Sequence, residues 1–418
     1  MGTARVPTVG PYEIWMLAQA AIGFCGVGGM MFLIPAYVLQ QGGDPADAGA
    51  VMAVAGSIAL AAPFLGSFAD RFAVHRGLQL MSIALLGAAA LAFAAAEQVL
   101  TWLVAASLLG LGMAGLSVVN ATFVVGAGLD PATLARKLSL LQLSLPAGQV
   151  LGLATVSALA GAGVAFESMF VVLAGAAAAF GVVVGLVNRG PSQRLVAAAA
   201  ATDSGDRTDG ARGPTLRATL GSQFGVVLAL VLLITVSAQA IESQYPSYMQ
   251  SAFGIEPTES AGALSVIVLV SIPLYVVAGR WTARAGPRVP FLASAAARAV
   301  AGAGLLLIPG ESGIAALVVF GVVMLVYPLF ELNAAALVAS TSPIGPGGGQ
   351  GALGAAIALG TIVAAVLAGW VAAEIGFAAL AGITLAAAGA ATGLGLVALR
   401  SPARGRRGPG SSAERSAP

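Results

Sequence analysis

Histidine, cysteine and lysine each occur once in this 418-residue chain, as His75, Cys25 and Lys137. One cysteine cannot build a disulfide or thiolate framework, and Cys25 sits among small apolar residues where it reads as packing. A single histidine, with no clustered acids or metal-ligand spacing around it, leaves no nucleophile, metal or cofactor site for an enzyme. No phosphate-binding glycine loop ending in lysine occurs, which excludes nucleotide-driven pumping of the usual kind. Charge itself is scarce: Asp, Glu, Lys and Arg make up only 9% of the residues, with a formal net charge of +2. Such a balance offers no polar shell for a soluble domain and no basic face for nucleic acid.

Apolar sequence fills the space. Hydrophobic residues are 58% of the chain and the mean hydropathy is +0.95, values that place it in a bilayer. Runs of the roughly 20 residues needed to cross hydrocarbon occur twelve times. They fall near 12–39, 47–69, 78–96, 99–127, 137–160, 168–187, 222–250, 260–279, 289–308, 313–340, 351–373 and 377–399. The first is too long for a signal-peptide core and reads as a retained helix. No alternating barrel pattern is visible, so the spans are helices, whose backbone groups are satisfied within each segment.

This placement ignores basic residues, so their distribution tests it. Eighteen of the nineteen Lys and Arg fall on one side, and the exception, Arg298, lies within a span. The other side holds eight acids and no base: Asp44, Asp47, Glu97, Glu167, Glu256, Glu259, Glu311 and Glu374. The positive-inside rule makes both termini cytoplasmic and the number of crossings even. Residues 188–219 are the one long polar break and read as a flexible cytoplasmic linker with a short surface helix. The expected organisation is a six-helix bundle over 1–187, the linker, a second bundle over 220–400, and a basic flexible tail over 401–418.

The two bundles repeat each other. Asp44-Pro45-x-Asp47 leads to a loop beginning at Gly66, and Glu256-Pro257-x-Glu259 leads to its counterpart beginning at Gly279. Asn120 corresponds to Asn333 at an offset of 213. The first loop, with Gly66, Asp70, Arg71, His75 and Arg76, and the second, with Gly279, Arg280, Arg284 and Arg288, resemble the signature loops of the major facilitator superfamily. The resemblance implies an all-α integral membrane fold of twelve helices in two pseudo-symmetric six-helix bundles. It also implies transport by alternating access, with these loop residues fastening the cytoplasmic gate. Two departures stand out: Ala73 replaces the usual second glycine of the first loop, and Ala283 replaces the acid of the second.

Ionisable and amide groups inside spans are costly and mark function by default. Gln239 and Glu242 share a face of span 7, just before Tyr245, Pro246 and Tyr248; the proline is expected to bend or break the helix there. Glu331 and Arg298 fall at similar depth in spans 10 and 9 and are candidates to pair. Asn120 and Asn333 are expected to face a central cavity, as the resemblance places spans 4 and 10, and Gln142 lies on one face of span 5 with Gln149. Glu13 reads as a structural acid at the start of span 1.

Together these features predict a monomeric carrier in a bacterial inner membrane, with lipid, a small organic solute and protons as its partners and no cofactor. Proton-coupled efflux, as an antiporter, is the favoured reading. Proton-coupled or facilitated nutrient uptake is the alternative, and a membrane receptor or enzyme lies outside the class.

Overall fold

The computed structural model describes residues 8–9, 12–127, 129, 131–202, 223–343 and 345–399. Span 1 is Ile14–Gln40. Span 2 is built of Pro45–Ser57, a 3-10 turn Ile58–Ala61, and Ala62–Phe72. Spans 3 to 6 are His75–Ala94, Val99–Val125, Pro131–Gly161 and Phe166–Val187. Span 7 is split into Gln223–Glu242 and Tyr245–Phe253, and spans 8 and 9 are Pro257–Ala285 and Arg288–Leu307. Span 10 is split into Gly313–Leu325 and Tyr327–Thr341; spans 11 and 12 are Gly345–Glu374 and Phe377–Ala398. Eleven of the twelve, all but span 2, contain among the described residues a helical stretch long and apolar enough to cross a bilayer. The twelve helices follow the predicted segments closely, and the molecule is an all-α, twelve-helix membrane protein.

Two local features depart from the expected pattern. Thr8–Val9 and Tyr12–Glu13 form a small antiparallel hairpin ahead of span 1, where the apolar run alone predicts helix from residue 12. Within span 1, Ile22–Met30 is wound as a π-helix. Cβ atoms at Gly23 and Gly28 would meet the backbone of Leu145 and Gln149 at 2.0 and 2.4 Å, so spans 1 and 5 pack backbone to backbone. Cys25 lies in this stretch, fully buried, its thiol directed at the Leu173 carbonyl 3.6 Å away.

The acid-Pro-x-acid repeats are helix starts. Asp44 caps span 2 by accepting from the Asp47 amide at 2.8 Å, while Asp47 accepts from the Asp44 amide at 3.1 Å, with Pro45 in the first turn. That reciprocal capping satisfies two otherwise orphaned amides, and proline costs nothing where no intrahelical bond is required. Glu256 and Pro257 occupy the same positions at the start of span 8, without the side-chain cap. The helix ends repeat as well. Span 2 stops at Ala73 with φ 53°, and span 8 stops at Gly286 with φ 74°. The glycine missing from the first loop motif is therefore missing at a left-handed position, where a Cβ is strained.

At the cytoplasmic end of the first half, the linker opens with the helix Arg189–Thr202, as the polar break allows; residues 203–222 lie outside the described ones. Glu13 ties this helix to the bundle. It accepts from Arg194 at 3.1 and 2.5 Å, from the Trp15 indole at 2.5 Å, and from Lys137 of span 5. Glu13 is thus a junction of three elements rather than only an N-terminal acid. Burial alone would raise its carboxyl, but the bonds from Arg194, Lys137 and Trp15 outweigh burial and hold it at about 2, below the ordinary 4.5.

The halves meet on the non-cytoplasmic side. Gln244 donates to the Pro45 carbonyl at 3.1 Å, Ser157 to that of Thr258 at 3.0 Å, and Ser265 to that of Val150 at 3.1 Å. Phe32 lies 6.1 Å from Tyr245, and spans 2 and 11 touch where a Cβ on Gly49 would stand 2.5 Å from the Ala365 carbonyl.

Two stability predictions follow from the caps and the junction. Ala73→Gly raises the Tm of the purified protein, relieving roughly 1 kcal/mol of left-handed strain, while Gly286→Ala lowers it by a similar amount. Equal melting of all three proteins would refute the strain. Because the folded pKa of Glu13 is depressed, its stabilisation is complete above about 4.5 and disappears as pH falls toward about 2. Glu13→Gln should cost about 3 kcal/mol at neutral pH, and its thermal unfolding curve should converge with the wild type across that acid window.

Candidate functional site

The second half holds the intramembrane charges, and two helix breaks place them. Span 7 interrupts at Ser243 and Gln244 and restarts with Tyr245-Pro246; span 10 interrupts at Val326 and restarts with Tyr327-Pro328. The first break is the one Pro246 predicts, a proline lacking the amide that would continue the helix. The second carries the same Tyr-Pro signal, but the sequence reading passed over it. Buried around the first break, Ser243 Oγ, Gln244 Oε1, Ser247 Oγ and Tyr248 Oη have no hydrogen-bond partner, while Tyr245 donates to the Ser260 carbonyl at 3.2 Å. Tyr245 and Tyr248 therefore pack in the outer closure rather than lining an open cavity.

Glu242 ends the first segment of span 7, half-buried, and accepts from Gln239 Nε2 at 2.6 Å, the contact expected of a shared helix face. Glu331, also half-buried, lies one turn into the second segment of span 10 and accepts from Tyr275 of span 8 at 2.5 Å. The candidate pairing of Arg298 with Glu331 does not form. Arg298 lies instead over two rings of span 10, its guanidinium 5.2 Å from the Phe330 ring and 6.0 Å from that of Tyr327. It is fully buried, and none of its three side-chain nitrogens has a hydrogen-bond partner. Tyr275 and Tyr327 are the residues the sequence reading missed. Isolated tyrosines in apolar helices carry no local signal, although Tyr327 next to Pro328 repeats Tyr245 next to Pro246.

Arg298 opens on a small cavity of about 30 Å³ between spans 7, 9, 10 and 11, lined by Thr235, Ala238, Gln239, Tyr327, Phe330, Ile357 and Thr361. Most of its lining residues are polar, so in this conformation it is a space for a polar group of a few atoms rather than for a whole solute.

The paired asparagines do not face a shared pore. Asn120 is buried in a chain of donors that crosses the first half. Arg76 donates to Asn188 at 2.9 Å, Asn188 to Gln79 at 3.1 Å, Gln79 to Asn120 at 2.8 Å, and Asn120 to Gln19 at 2.9 Å. Asn333 is equally buried, accepting from Thr282 at 2.9 Å and donating to the Leu329 carbonyl at 2.7 Å. Amides satisfied in this way hold helices together. Their sequence symmetry thus marks a shared packing position. Gln142 is exposed on span 5.

Of the loop residues, Arg76 is bound within its own half, to Asn188 and to the Gly185 carbonyl at 3.3 Å. Arg71 is exposed, 5.7 Å from the neighbouring Phe72 ring, and the side chain of Asp70 lies outside the described residues. Gly66 sits against Val118, where a Cβ would stand 3.2 Å from Cγ1, as a close helix approach requires, whereas Gly279 faces open space. Arg280 and Arg284 are exposed, and Arg288 is half-buried at the start of span 9.

Known proteins share this architecture. The nucleoside transporter NupG superposes with a TM-score of 0.69 at 15% identity, covering 92% of this chain and 96% of that one. A POT family transporter in complex with 5-aminolevulinic acid superposes with a TM-score of 0.73 at 12% identity, covering 92% and 94%. A mutant of the peptide transporter POT in complex with sulfate gives 0.70 at 15%, covering 92% and 93%. At these identities the likeness is one of fold. No curated protein matches the chain in sequence. The family model of the Major Facilitator Superfamily, however, matches residues 16–344, most of the chain. The chain belongs to the Major Facilitator Superfamily and is a secondary transporter of its twelve-helix type.

Proposed function

We propose that this transporter moves a small organic solute in exchange or in company with protons, and that Glu242 and Glu331 carry the protons. One observation supports this most directly: each carboxylate is held by a single neutral donor, Gln239 or Tyr275, and neither is in an ion pair among the described residues. A carboxylate held in this way gains and loses a proton without a salt bridge having to break, the property required of a coupling group in a membrane. On this reading the bundles 1–187 and 220–400 rock as two bodies, joined by 188–219 and followed by the tail 401–418. Exposed Arg71, Arg280 and Arg284 reseal the cytoplasmic side when the outer closure opens. The carrier works as a monomer in the bacterial cytoplasmic membrane.

Efflux is the reading the family resemblance brings. Uptake with protons is the second, and Arg298 favours it. Glu242 attracts the guanidinium through space. An anion on Arg298 and a proton on Glu242 would together preserve the local charge, so the two would travel in the same direction.

Purified protein in liposomes loaded with a pH dye tests both readings, using dyes, antibiotics, sugars and simple carboxylates as solutes. Solute entry that acidifies the lumen indicates co-transport; entry that alkalinises it indicates exchange. Glu242→Gln or Glu331→Gln should abolish the pH signal while leaving solute equilibration intact. Solute movement without a pH change in the wild type would sink proton coupling.

A further inference from the structure

Among the described residues, Arg298 is a cation with no hydrogen-bond acceptor. It is 0% exposed, and Nε, Nη1 and Nη2 are all without a hydrogen-bond partner. The rings of Phe330 and Tyr327 attract a cation through their faces but offer the N–H groups no lone pair. Glu242 attracts it through space without contact, and Glu331, the other nearby acid, is taken up by Tyr275. An interior cation without an acceptor is strongly disfavoured, so a chain with so few charges has no packing reason to keep one there.

The cavity beside Arg298 supplies the missing context. Its polar lining includes a second orphan, the buried Thr235 hydroxyl, which also has no partner. A planar five-donor fork next to a hydroxyl calls for a planar group that accepts on two atoms. A carboxylate meets that demand with paired charge-assisted bonds. Phe330, Ile357 and Ala238 complete the lining, and the volume of about 30 Å³ matches a small ionised group rather than a whole ligand. With a single guanidinium to neutralise charge and Glu242 close by, the site favours one negative charge over two.

We propose that this cavity, between spans 7, 9, 10 and 11, binds the carboxylate of the transported solute through Arg298 and Thr235, making the substrates monocarboxylates. The inference deepens the carrier reading above but does not depend on proton coupling.

Thermal unfolding of the purified full-length protein tests it with benzoate, hexanoate, their amides and inorganic phosphate. A carboxylate should raise the Tm while its amide does not. Arg298→Met should melt at or above the unliganded wild type, because it removes an unpartnered buried charge, and should bind carboxylate on the order of 100-fold more weakly. Arg298→Lys, a point charge without the fork, should fall between, and Thr235→Val should weaken binding several-fold without changing unliganded stability. If Arg298→Met does not fold, the lysine and valine variants decide the question.

Equal stabilisation by acid and amide, stabilisation by phosphate alone, no response to either carboxylate up to its solubility limit, or unchanged binding in the variants would each overturn the proposal. Carboxylate bound through Arg298 with no proton movement in liposomes would refute coupling and leave the subsite. Proton-linked transport of neutral solutes by a protein indifferent to carboxylates would do the reverse.

Discussion

Charge is expensive in hydrocarbon, and the layout of this molecule follows from where it puts the little charge it has. Nearly every base lies on one face, which sets the orientation of all twelve helices. At that face Glu13 gathers Arg194, Lys137 and Trp15, so the linker helix is fastened to the first bundle by the chain's sole lysine and a buried acid. Within the membrane the charges are confined to one bundle. The charged exceptions to an apolar interior therefore lie together, near the two helix breaks.

The repeated halves have diverged in how they satisfy buried polarity. The first links Arg76, Asn188, Gln79, Asn120 and Gln19 into one chain, anchored by a charge at the cytoplasmic end and neutral beyond it. Such a chain leaves no donor or acceptor hanging along its length and favours a single arrangement of spans 1, 3, 4 and 6. Among the described residues the second half has the Asn333–Thr282 contact in the corresponding place, and two acids, an arginine and two broken helices besides. One bundle closes its buried polar groups on each other, and the other carries the intramembrane charges.

Much of this was legible in the sequence. Hydropathy and the asymmetry of bases gave twelve spans and their orientation, because lipid imposes both. Pro246 announced the break in span 7, and intramembrane cost singled out Glu242, Glu331 and Arg298. What the sequence could not show was which way side chains turn. Arg298 and Glu331 are at similar depth, yet the rings of Phe330 and Tyr327 lie against the arginine while Glu331 accepts from Tyr275 of span 8. Asn120 and Asn333 are symmetric in sequence, but depth and symmetry do not distinguish a pore-facing amide from one that locks helices together. The hairpin before span 1 was hidden by the apolar residues that follow it.

The chain's one thiol has a further consequence. Cys25 is buried in the π-wound part of span 1 with its S–H directed at the Leu173 carbonyl, and no second cysteine exists for it to meet. Neither bridge formation nor ready attack by oxidants in the medium is open to it. For thiol chemistry the protein is silent, so a cysteine introduced at an exposed position would be its one reactive thiol.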